Sequence, residues 1–157
     1  MQRRTHSGEQ LKSFAQEYVR TLSPRSYATV GALSGELGAG KTTFVQGVAE
    51  ALGIRETVAS PTFVIEKRYQ LPLDLARGEN KFSRLIHIDA YRLKSAHELE
   101  VLGWKEITED PANLILLEWP ERVEEAIPDE AIHIRIDIEG DGRIISIEHG
   151  KKDGEKN

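Results

Sequence analysis

Residues 35–42, with the sequence GELGAGKT, carry the strongest chemical signal in the chain, because they match the pattern G-x-x-x-x-G-K-[ST]. In such a loop, glycines let backbone N–H groups converge on phosphate oxygens, and the N-terminus of the following helix favours negative charge. Lys41 would contact the β- and γ-phosphates, and the Thr42 hydroxyl would bind Mg²⁺. A random chain of this length contains such a match roughly 0.5% of the time at average composition. The loop therefore predicts a nucleoside triphosphate site.

Two acidic residues stand at the ends of apolar runs typical of buried strands. The segment LIHIDAYR places Asp89 after one run, and NLILLEWPE places Glu118 after four aliphatic residues. A metal–phosphate site needs such a carboxylate at the end of a neighbouring strand. One acid would bind Mg²⁺, and the other would orient or deprotonate the attacking water. The residue types leave open which acid has which role.

Three further features lie close to these motifs. The segment 60–63, SPTF, follows the predicted loop helix, where a hydroxyl could sense the γ-phosphate and couple it to a moving loop. The same spacing equally fits a turn before a strand, with Phe63 in the core. Trp119 directly follows Glu118 and is typical of a buried aromatic residue, but it also adjoins the predicted metal ligand. His87 alternates with aliphatic residues, which favours a packed, structural histidine over a metal ligand.

The base of the expected nucleotide is inferred from a guanine-binding motif that the chain does not complete. A guanine-reading N-K-x-D pattern would need aspartate where Asn80-Lys81-Phe82 is followed by Ser83. The hydrogen-bond acceptor for the guanine edge is therefore missing from this pattern. ATP is the expected nucleotide.

Helices interleaved with strands would position these residues. Ser7 and Gln10 form a plausible capping box for a first helix that Pro24 ends. The apolar patterns predict strands over 27–34, 62–69, 84–89 and 113–117, helices over 41–52 and 96–102, a polar loop over 71–81, a short acidic helix between Pro120 and Pro128, and a hairpin around 140–142. The expected fold is α/β, a three-layer P-loop NTPase-like domain with a mixed β-sheet and a C-terminal β-hairpin.

Composition supports one globular domain over residues 1–150, with a disordered tail over 151–157. The chain has 157 residues, 39% of them hydrophobic and 30% charged, and its net charge of −5 does not suit a basic surface for nucleic acid. Residues 1–93 carry 13 basic and 9 acidic groups, whereas residues 94–157 carry 8 and 17. The absence of cysteine excludes disulfides, thiolate nucleophiles and Cys-ligated zinc. Without a signal peptide or long apolar run, a cytoplasmic protein with no membrane partner is expected.

The motifs GELGAGKTTF, SPTF, HIDAYRL and LLEWPE occur in this order, and together they resemble the TsaE family over residues 7–150. The resemblance implies a bacterial ATPase that binds ATP with Mg²⁺ and hydrolyses it slowly. It also implies partners, a threonylcarbamoyl-transferase subunit and its dimerisation partner. Their complex modifies the adenosine next to the anticodon in tRNAs that read codons beginning with A. The ATPase would support this cycle without transferring the group, and would meet tRNA indirectly or through the complex.

The resemblance also implies site residues. The phosphates would be held by Gly38, Ala39, Gly40, Lys41, Thr42 and Thr43. Thr42 and Glu118 would bind Mg²⁺, and Asp89 would be the second acid, tied to hydrolysis. Thr62 would belong to a nucleotide-sensing switch, and Trp119 would support activity near the site or at the partner contact. Arg143, in the late hairpin, is a weaker candidate for contacting the nucleotide.

Two other functions fit a phosphate loop. A small-molecule or nucleoside kinase of this size usually needs an Arg-bearing lid over the transferred phosphoryl group. After residue 93 the only arginines are Arg122, Arg135 and Arg143, two of them in the predicted hairpin, which argues against a lid. A nucleotide-dependent scaffold without hydrolysis would need only the metal ligand. The presence of both Asp89 and Glu118 therefore favours hydrolysis.

Overall fold

The computed structural model describes residues 1–72 and 82–151, which form a seven-stranded mixed sheet. Its strands are β1 (Gln2–Thr5), β2 (Thr29–Ser34), β3 (Glu66–Gln70), β4 (Arg84–Asp89), β5 (Asn113–Glu118), β6 (Ile132–Glu139) and β7 (Gly142–His149). They lie in the order β1-β7-β6-β2-β5-β4-β3. The four central strands, β6, β2, β5 and β4, are parallel, while β3, β7 and β1 join antiparallel at the two sides.

Helices cover both faces of the sheet. They are α1 (Gly8–Val19), α2 (Lys41–Ala51), α3 (Ala96–Val101) and α4 (Trp104–Glu109), with short 3₁₀ turns at Pro120–Arg122 and Glu124–Ala126. One apolar cluster joins α1 and α2 to one face, and a second joins α3 and α4 to the other. The three layers, the mixed sheet and the C-terminal hairpin of β6 and β7 confirm the fold predicted from the sequence.

The middle of the sheet explains the apolar runs in the sequence. All six residues of β5 are buried, because helices cover both of its faces. In β6, by contrast, buried and exposed residues alternate over most of the strand. Parallel strands also end at the same edge, so the residues that follow β2, β4 and β5 are brought together there.

Helix α1 forms as its sequence predicts. The Ser7 side chain accepts a hydrogen bond from the backbone N–H of Gln10 at 3.2 Å, which caps the first turn. The buried apolar residues of the helix recur every three or four positions and are Leu11, Phe14, Ala15, Tyr18 and Val19. Their packing places the start of α1 beside the phosphate loop, where the Leu11 side chain lies close to Gly40.

Local patterns were wrong or incomplete in four places. The strand predicted over 62–69 begins only at Glu66, because residues 61–65 form a turn in which Ile65 has φ 70°. The acidic helix predicted after Pro120 is two separate 3₁₀ turns. The sequence patterns missed β1, whose pairing with β7 is entirely non-local, and α4, which follows a left-handed Gly103.

Two of the predicted segments lie almost wholly outside the described residues. The polar loop over 71–81 lies outside the described residues except at Leu71 and Pro72, and the disordered tail over 151–157 does so except at Lys151. Among the helices of residues 1–72 and 82–151, none has the length and apolar character needed to cross a bilayer.

Candidate functional site

The loop of residues 35–42 connects β2 to α2, and two of its glycines, Gly35 and Gly40, stand where a side chain would not fit. Gly40 has φ 115°, and a Cβ there would lie 2.6 Å from Leu11 Cδ2. Gly35 has φ 149°, and a Cβ there would collide with the Ile136 carbonyl oxygen. No side chain caps the N-terminus of α2 at Gly40. The first-turn N–H groups of α2 therefore have no side-chain cap, as an anion-binding helix end requires.

Lys41 is buried at the start of α2 and is surrounded by loop carbonyls and an aromatic ring. Its Nζ donates hydrogen bonds to the carbonyl oxygens of Gly35 and Glu36, the latter at 3.1 Å. The same atom lies 4.0 Å from the centre of the Trp119 ring. Burial lowers the pKa of Lys41 from its ordinary value, while the nearby charge of Glu118 raises it again. A phosphate group bound here would stabilise the charged form of Lys41, which burial has separated from water.

Glu118 ends β5 and is joined to α2 and β4. The Thr42 hydroxyl lies 3.3 and 3.2 Å from its two carboxylate oxygens and donates to them. His87 Nε2 lies 2.6 Å from Glu118 Oε2, and both side chains are buried. A hydroxyl and a carboxylate side by side are hard oxygen donors of the type that Mg²⁺ prefers.

Asp89 ends β4 and is the register partner of Glu118 on the neighbouring strand. Its Oδ2 accepts hydrogen bonds from the hydroxyls of Ser60 at 3.0 Å and Thr62 at 2.6 Å. Its Oδ1 accepts from the backbone N–H of Tyr91 at 2.9 Å. The structure therefore brings the SPTF segment to Asp89, on the strand next to the one that Glu118 ends.

A cleft of about 380 Å³ lies between these groups. The sequence-predicted residues that line it are Gly38, Gly40, Lys41, Thr42, Thr43, Thr62, Asp89, Glu118 and Trp119. Ala39, which also belongs to the loop, does not line the cleft, and its side chain is buried. Arg143 supports the loop from the hairpin, since its guanidinium donates to the carbonyl oxygens of Ala39 at 2.9 Å and Gly38 at 3.3 Å. Its contacts are thus to the loop backbone.

Backbone strain is concentrated beside the two acids. In the described part of the chain, Ile65 and Trp119 are the two non-glycine residues with positive φ, at 70° and 61°. Trp119 directly follows Glu118, and the carbonyl oxygen of Ile65 accepts a hydrogen bond from the backbone N–H of Asp89 at 2.8 Å. Such conformations persist where the surroundings enforce them, and they are typical of functional sites.

Sequence reasoning missed the roles of three residues of the site. Ser60 and Tyr91 lie within the SPTF and HIDAYRL motifs, but nothing in their spacing showed that the Ser60 hydroxyl and the Tyr91 backbone N–H would both donate to Asp89. His87 was predicted to be packed and structural, and its full burial agrees; its hydrogen bond to Glu118 crosses between strands and left no local signal. Phe63, placed in the core by one of the two sequence interpretations, is instead 84% exposed.

The fold and the position of this loop define the class. A parallel-centred α/β domain whose strand–loop–helix unit carries G-x-x-x-x-G-K-T, with acids ending the two adjacent strands, is a P-loop-like domain.

Comparison with known proteins gives the family. The model of the family described as "Threonylcarbamoyl adenosine biosynthesis protein TsaE" matches residues 5–145. A "tRNA threonylcarbamoyladenosine biosynthesis protein TsaE" of Bacillus subtilis is 38% identical over 141 residues, covering 88% of this chain and 78% of that protein. A protein of the same name from Rickettsia bellii is 31% identical, covering 90% of both chains. The crystal structure of Bacillus subtilis YdiB superposes with a TM-score of 0.74 at 32% identity, covering 96% of this chain and 86% of that one. The chain belongs to the TsaE family of tRNA threonylcarbamoyladenosine biosynthesis.

Proposed function

We propose that this protein binds ATP with Mg²⁺ in the cleft, hydrolyses it, and thereby supports the threonylcarbamoyl modification of tRNA by acting on a separate transferase complex. The observation that carries the proposal is the contact between Thr42 and Glu118 beside Lys41 at the start of α2. The contact supports the proposal because oxygen donors of the kind that bind Mg²⁺ lie next to the helix end that would receive phosphates.

Each side chain of the cleft has a task that its contacts support. The loop N–H groups and Lys41 bind the phosphates, and Thr42 with Glu118 holds Mg²⁺. When bound, the metal ion neutralises charge on the phosphate oxygens and favours departure of the leaving group. Across the described residues no group of three or more His, Cys, Asp or Glu side chains forms a metal cage. That agrees with Mg²⁺, which usually takes one or two protein oxygens and completes its shell with phosphates and water.

Asp89 is the group that we propose for the attacking water. Its carboxylate is buried, and the hydrogen bonds from Thr62, Ser60 and Tyr91 fix its position. A carboxylate held in this way can orient a water molecule and accept its proton. Thr62 links the same group to the 61–65 turn, so a change at the γ-phosphate would be transmitted to that turn.

The contacts of three arginines near the site support the proposal that the isolated protein hydrolyses ATP slowly. Arg143 donates to loop carbonyls, and the guanidiniums of Arg92 and Arg122 lie 4.5 and 5.3 Å from the ring centres of Phe63 and Tyr91. Within residues 1–72 and 82–151, these three guanidiniums contact loop carbonyls and aromatic rings, and none bonds to a carboxylate or hydroxyl of the cleft. We therefore propose that a partner supplies the missing stabilisation of transition-state charge.

Exposed apolar side chains beside the cleft support a protein partner. Leu37, Phe63, Val64 and Tyr91 are exposed and belong to the cleft or to the turn next to it. An apolar patch of this kind at a site mouth is typical of an interaction surface. The proposed partners are the threonylcarbamoyl-transferase subunit and its dimerisation partner. Contact with tRNA would come through that complex, in keeping with the net charge of −5.

The test is an ATPase and tRNA-modification assay with the two partner subunits added or withheld. Slow turnover alone and clear acceleration by the partners are expected. Lys41→Ala should remove both activities, because it deletes a buried charge at the phosphates, worth about 2–5 kcal/mol in comparable pairs. Equal, fast turnover without partners would contradict the proposed partner dependence. Phosphoryl transfer to a nucleoside panel would instead identify a kinase.

A further inference from the structure

His87 does not line the cleft, but it contacts the carboxylate of Glu118, which does. The side chain is fully buried in the middle of β4. Its Nε2 is 2.6 Å from Glu118 Oε2, whereas its Nδ1 is buried with no hydrogen-bond partner among the described residues. A histidine that only fills space would be expected to have neither a short polar contact nor an unpartnered nitrogen.

The pleat of the sheet explains how the two side chains meet. In the parallel register His87 pairs with Leu116, two residues before Glu118, so the two side chains project from the same face on adjacent strands. Leu85 and Leu116, on that face, belong to the cluster that packs against α1 and α2. Glu118 is therefore held from the strand side by His87 and from the helix side by Thr42.

The unpartnered nitrogen fixes where the proton lies. The Glu118 carboxylate accepts, so Nε2 carries the hydrogen and Nδ1 carries the lone pair. The opposite tautomer would direct two acceptors at each other over 2.6 Å and bury an unsatisfied N–H. The Thr42 hydroxyl lies 3.3 Å from Oε1 and 3.2 Å from Oε2, and because Oε2 is also engaged by His87, Oε1 is the oxygen left for a metal ion.

We propose that His87 is a positioning residue for the magnesium site: its Nε2–H fixes the Glu118 carboxylate so that Oε1 and the Thr42 hydroxyl form one preorganised pair of metal ligands. This inference rests on the proposed function, because it concerns the same Mg²⁺–ATP site. In other metalloproteins, loss of a hydrogen bond that orients a metal ligand typically lowers the affinity for the metal by about 10- to 100-fold.

The test compares nucleotide binding with Mg²⁺ and with EDTA, using a non-hydrolysable ATP analogue and calorimetry. His87→Phe keeps a buried ring but removes the donor, and it should reduce the Mg²⁺-dependent gain in affinity by roughly 10- to 100-fold. Affinity in EDTA should stay within about twofold, because the phosphate contacts are untouched. His87→Gln should recover most of the gain, since its amide nitrogen reaches the position of Nε2, whereas His87→Asn is too short and should behave like His87→Phe.

Leu85→Val is the matched control, because Leu85 is equally buried on the same face of β4 and makes no polar contact with Glu118. It should leave the Mg²⁺ response unchanged. Equal losses with Mg²⁺ and with EDTA in His87→Phe, or an unchanged Mg²⁺ response in the folded variant, would overturn the positioning role. Absence of any Mg²⁺-dependent binding by the native protein would overturn the proposed function along with it.

A second measurement needs no substitution. In the native protein labelled with ¹⁵N-histidine, NMR should show His87 in the Nε2–H tautomer. With the ATP analogue bound, the Nε2 signal should shift when Mg²⁺ is added, but it should not shift when EDTA is added instead. An Nδ1–H tautomer would refute the proposal even if His87→Phe fails to fold, because that tautomer has no proton to donate to Glu118.

Discussion

Glu118 and Asp89 end neighbouring parallel strands in register, but different kinds of structure hold them. The side-chain partners of Glu118 are Thr42 in the first turn of α2 and His87 within β4. Both partners belong to regular elements whose backbones are fixed by their own hydrogen bonds and by core packing. The position of Glu118 is therefore determined by the helix and the sheet themselves.

The partners of Asp89 come from an irregular segment. Ser60 and Thr62 precede β3, and the turn that follows contains Ile65 at φ 70° and the exposed Phe63. The hydroxyl bonds to Asp89 thus hold a strained turn in which the apolar side chains of Phe63 and Val64 are exposed. Such segments open at lower free energy than helices and central strands.

The difference separates two requirements of a nucleotide-responsive site. A carboxylate that binds a metal ion has to keep its geometry whether or not a nucleotide is present, and the contacts of Glu118 suit the metal-binding role proposed for it. A sensing segment has to have two arrangements of similar free energy, and the Asp89 region allows that. Substitutions in the first region should therefore weaken binding, and those in the second should slow hydrolysis.

The largest effect is expected from Glu118→Gln. The amide keeps the size of the side chain but removes the charge, so the Mg²⁺-dependent gain in ATP affinity should fall by more than about 100-fold, beyond the loss typical of outer-shell groups. Calorimetry with Mg²⁺ and with EDTA measures this gain. Glu125→Gln, an exposed acid in the nearby 3₁₀ turn, serves as the control. A Mg²⁺ response that survives in Glu118→Gln would place the metal elsewhere.

Asp89→Asn should act on the rate. Loss of the proton acceptor should reduce kcat by about 100-fold, within the range for general base catalysis, while the Mg²⁺–ATP affinity stays within about threefold. Stopped-flow binding and single-turnover hydrolysis separate the two quantities. Asp141→Asn, in the exposed hairpin turn, controls for the charge change. If affinity and rate fell together as in Glu118→Gln, the two regions would not differ in role.

Sequence reasoning was most successful where the determinants are local. The loop pattern predicted that Lys41 starts a helix, and the apolar runs predicted that Asp89 and Glu118 end strands; the structure confirms these positions, and parallel pairing brings the two strand ends to one edge. The fold class followed from the same alternation of helices and strands. The loop pattern also identified Thr42, and the SPTF segment together with the family resemblance identified Thr62; the structure joins the hydroxyls of both residues to the two acids.

The parts that escaped prediction depend on distant contacts. Residues 62–65 have the β-branched and aromatic composition of a strand, yet the hydroxyl bonds to Asp89 and the backbone bonds to Pro61 hold them in a turn. The role of His87 depends on Glu118, 31 residues away. Strand β1 has only four residues and forms through pairing with β7 at the other end of the chain. The long-range contacts that decide these features leave no signal in the local sequence.

Thr62→Val should slow hydrolysis less than Asp89→Asn does. The substitution removes the 2.6 Å hydrogen bond to Asp89 while keeping the β-branched shape. Losing a hydrogen bond to a charged group costs about 1.5 kcal/mol or more, so single-turnover hydrolysis should slow by roughly tenfold. Thr62→Ser retains the hydroxyl and should restore at least half of the native rate. Failure of the serine variant to recover would assign the effect to packing of the methyl group.

Ser60→Ala should have the smallest effect on the rate of hydrolysis. It should loosen the turn while Asp89 keeps its other hydrogen-bond partners, so it tests whether the turn can move independently of the Glu118 region. Thr62 still donates to Oδ2, and the Tyr91 N–H still donates to Oδ1, so hydrolysis should slow only about threefold, the equivalent of one weak hydrogen bond. Hydrogen exchange of the backbone amides of Val64 and Ile65 should become faster, because the turn loses one of its two side-chain anchors to β4. The amides in the second and third turns of α2 should exchange at the native rate. Faster exchange in α2 as well would show that the two regions open together, and the division between a fixed metal-binding half and a responsive half would then be wrong.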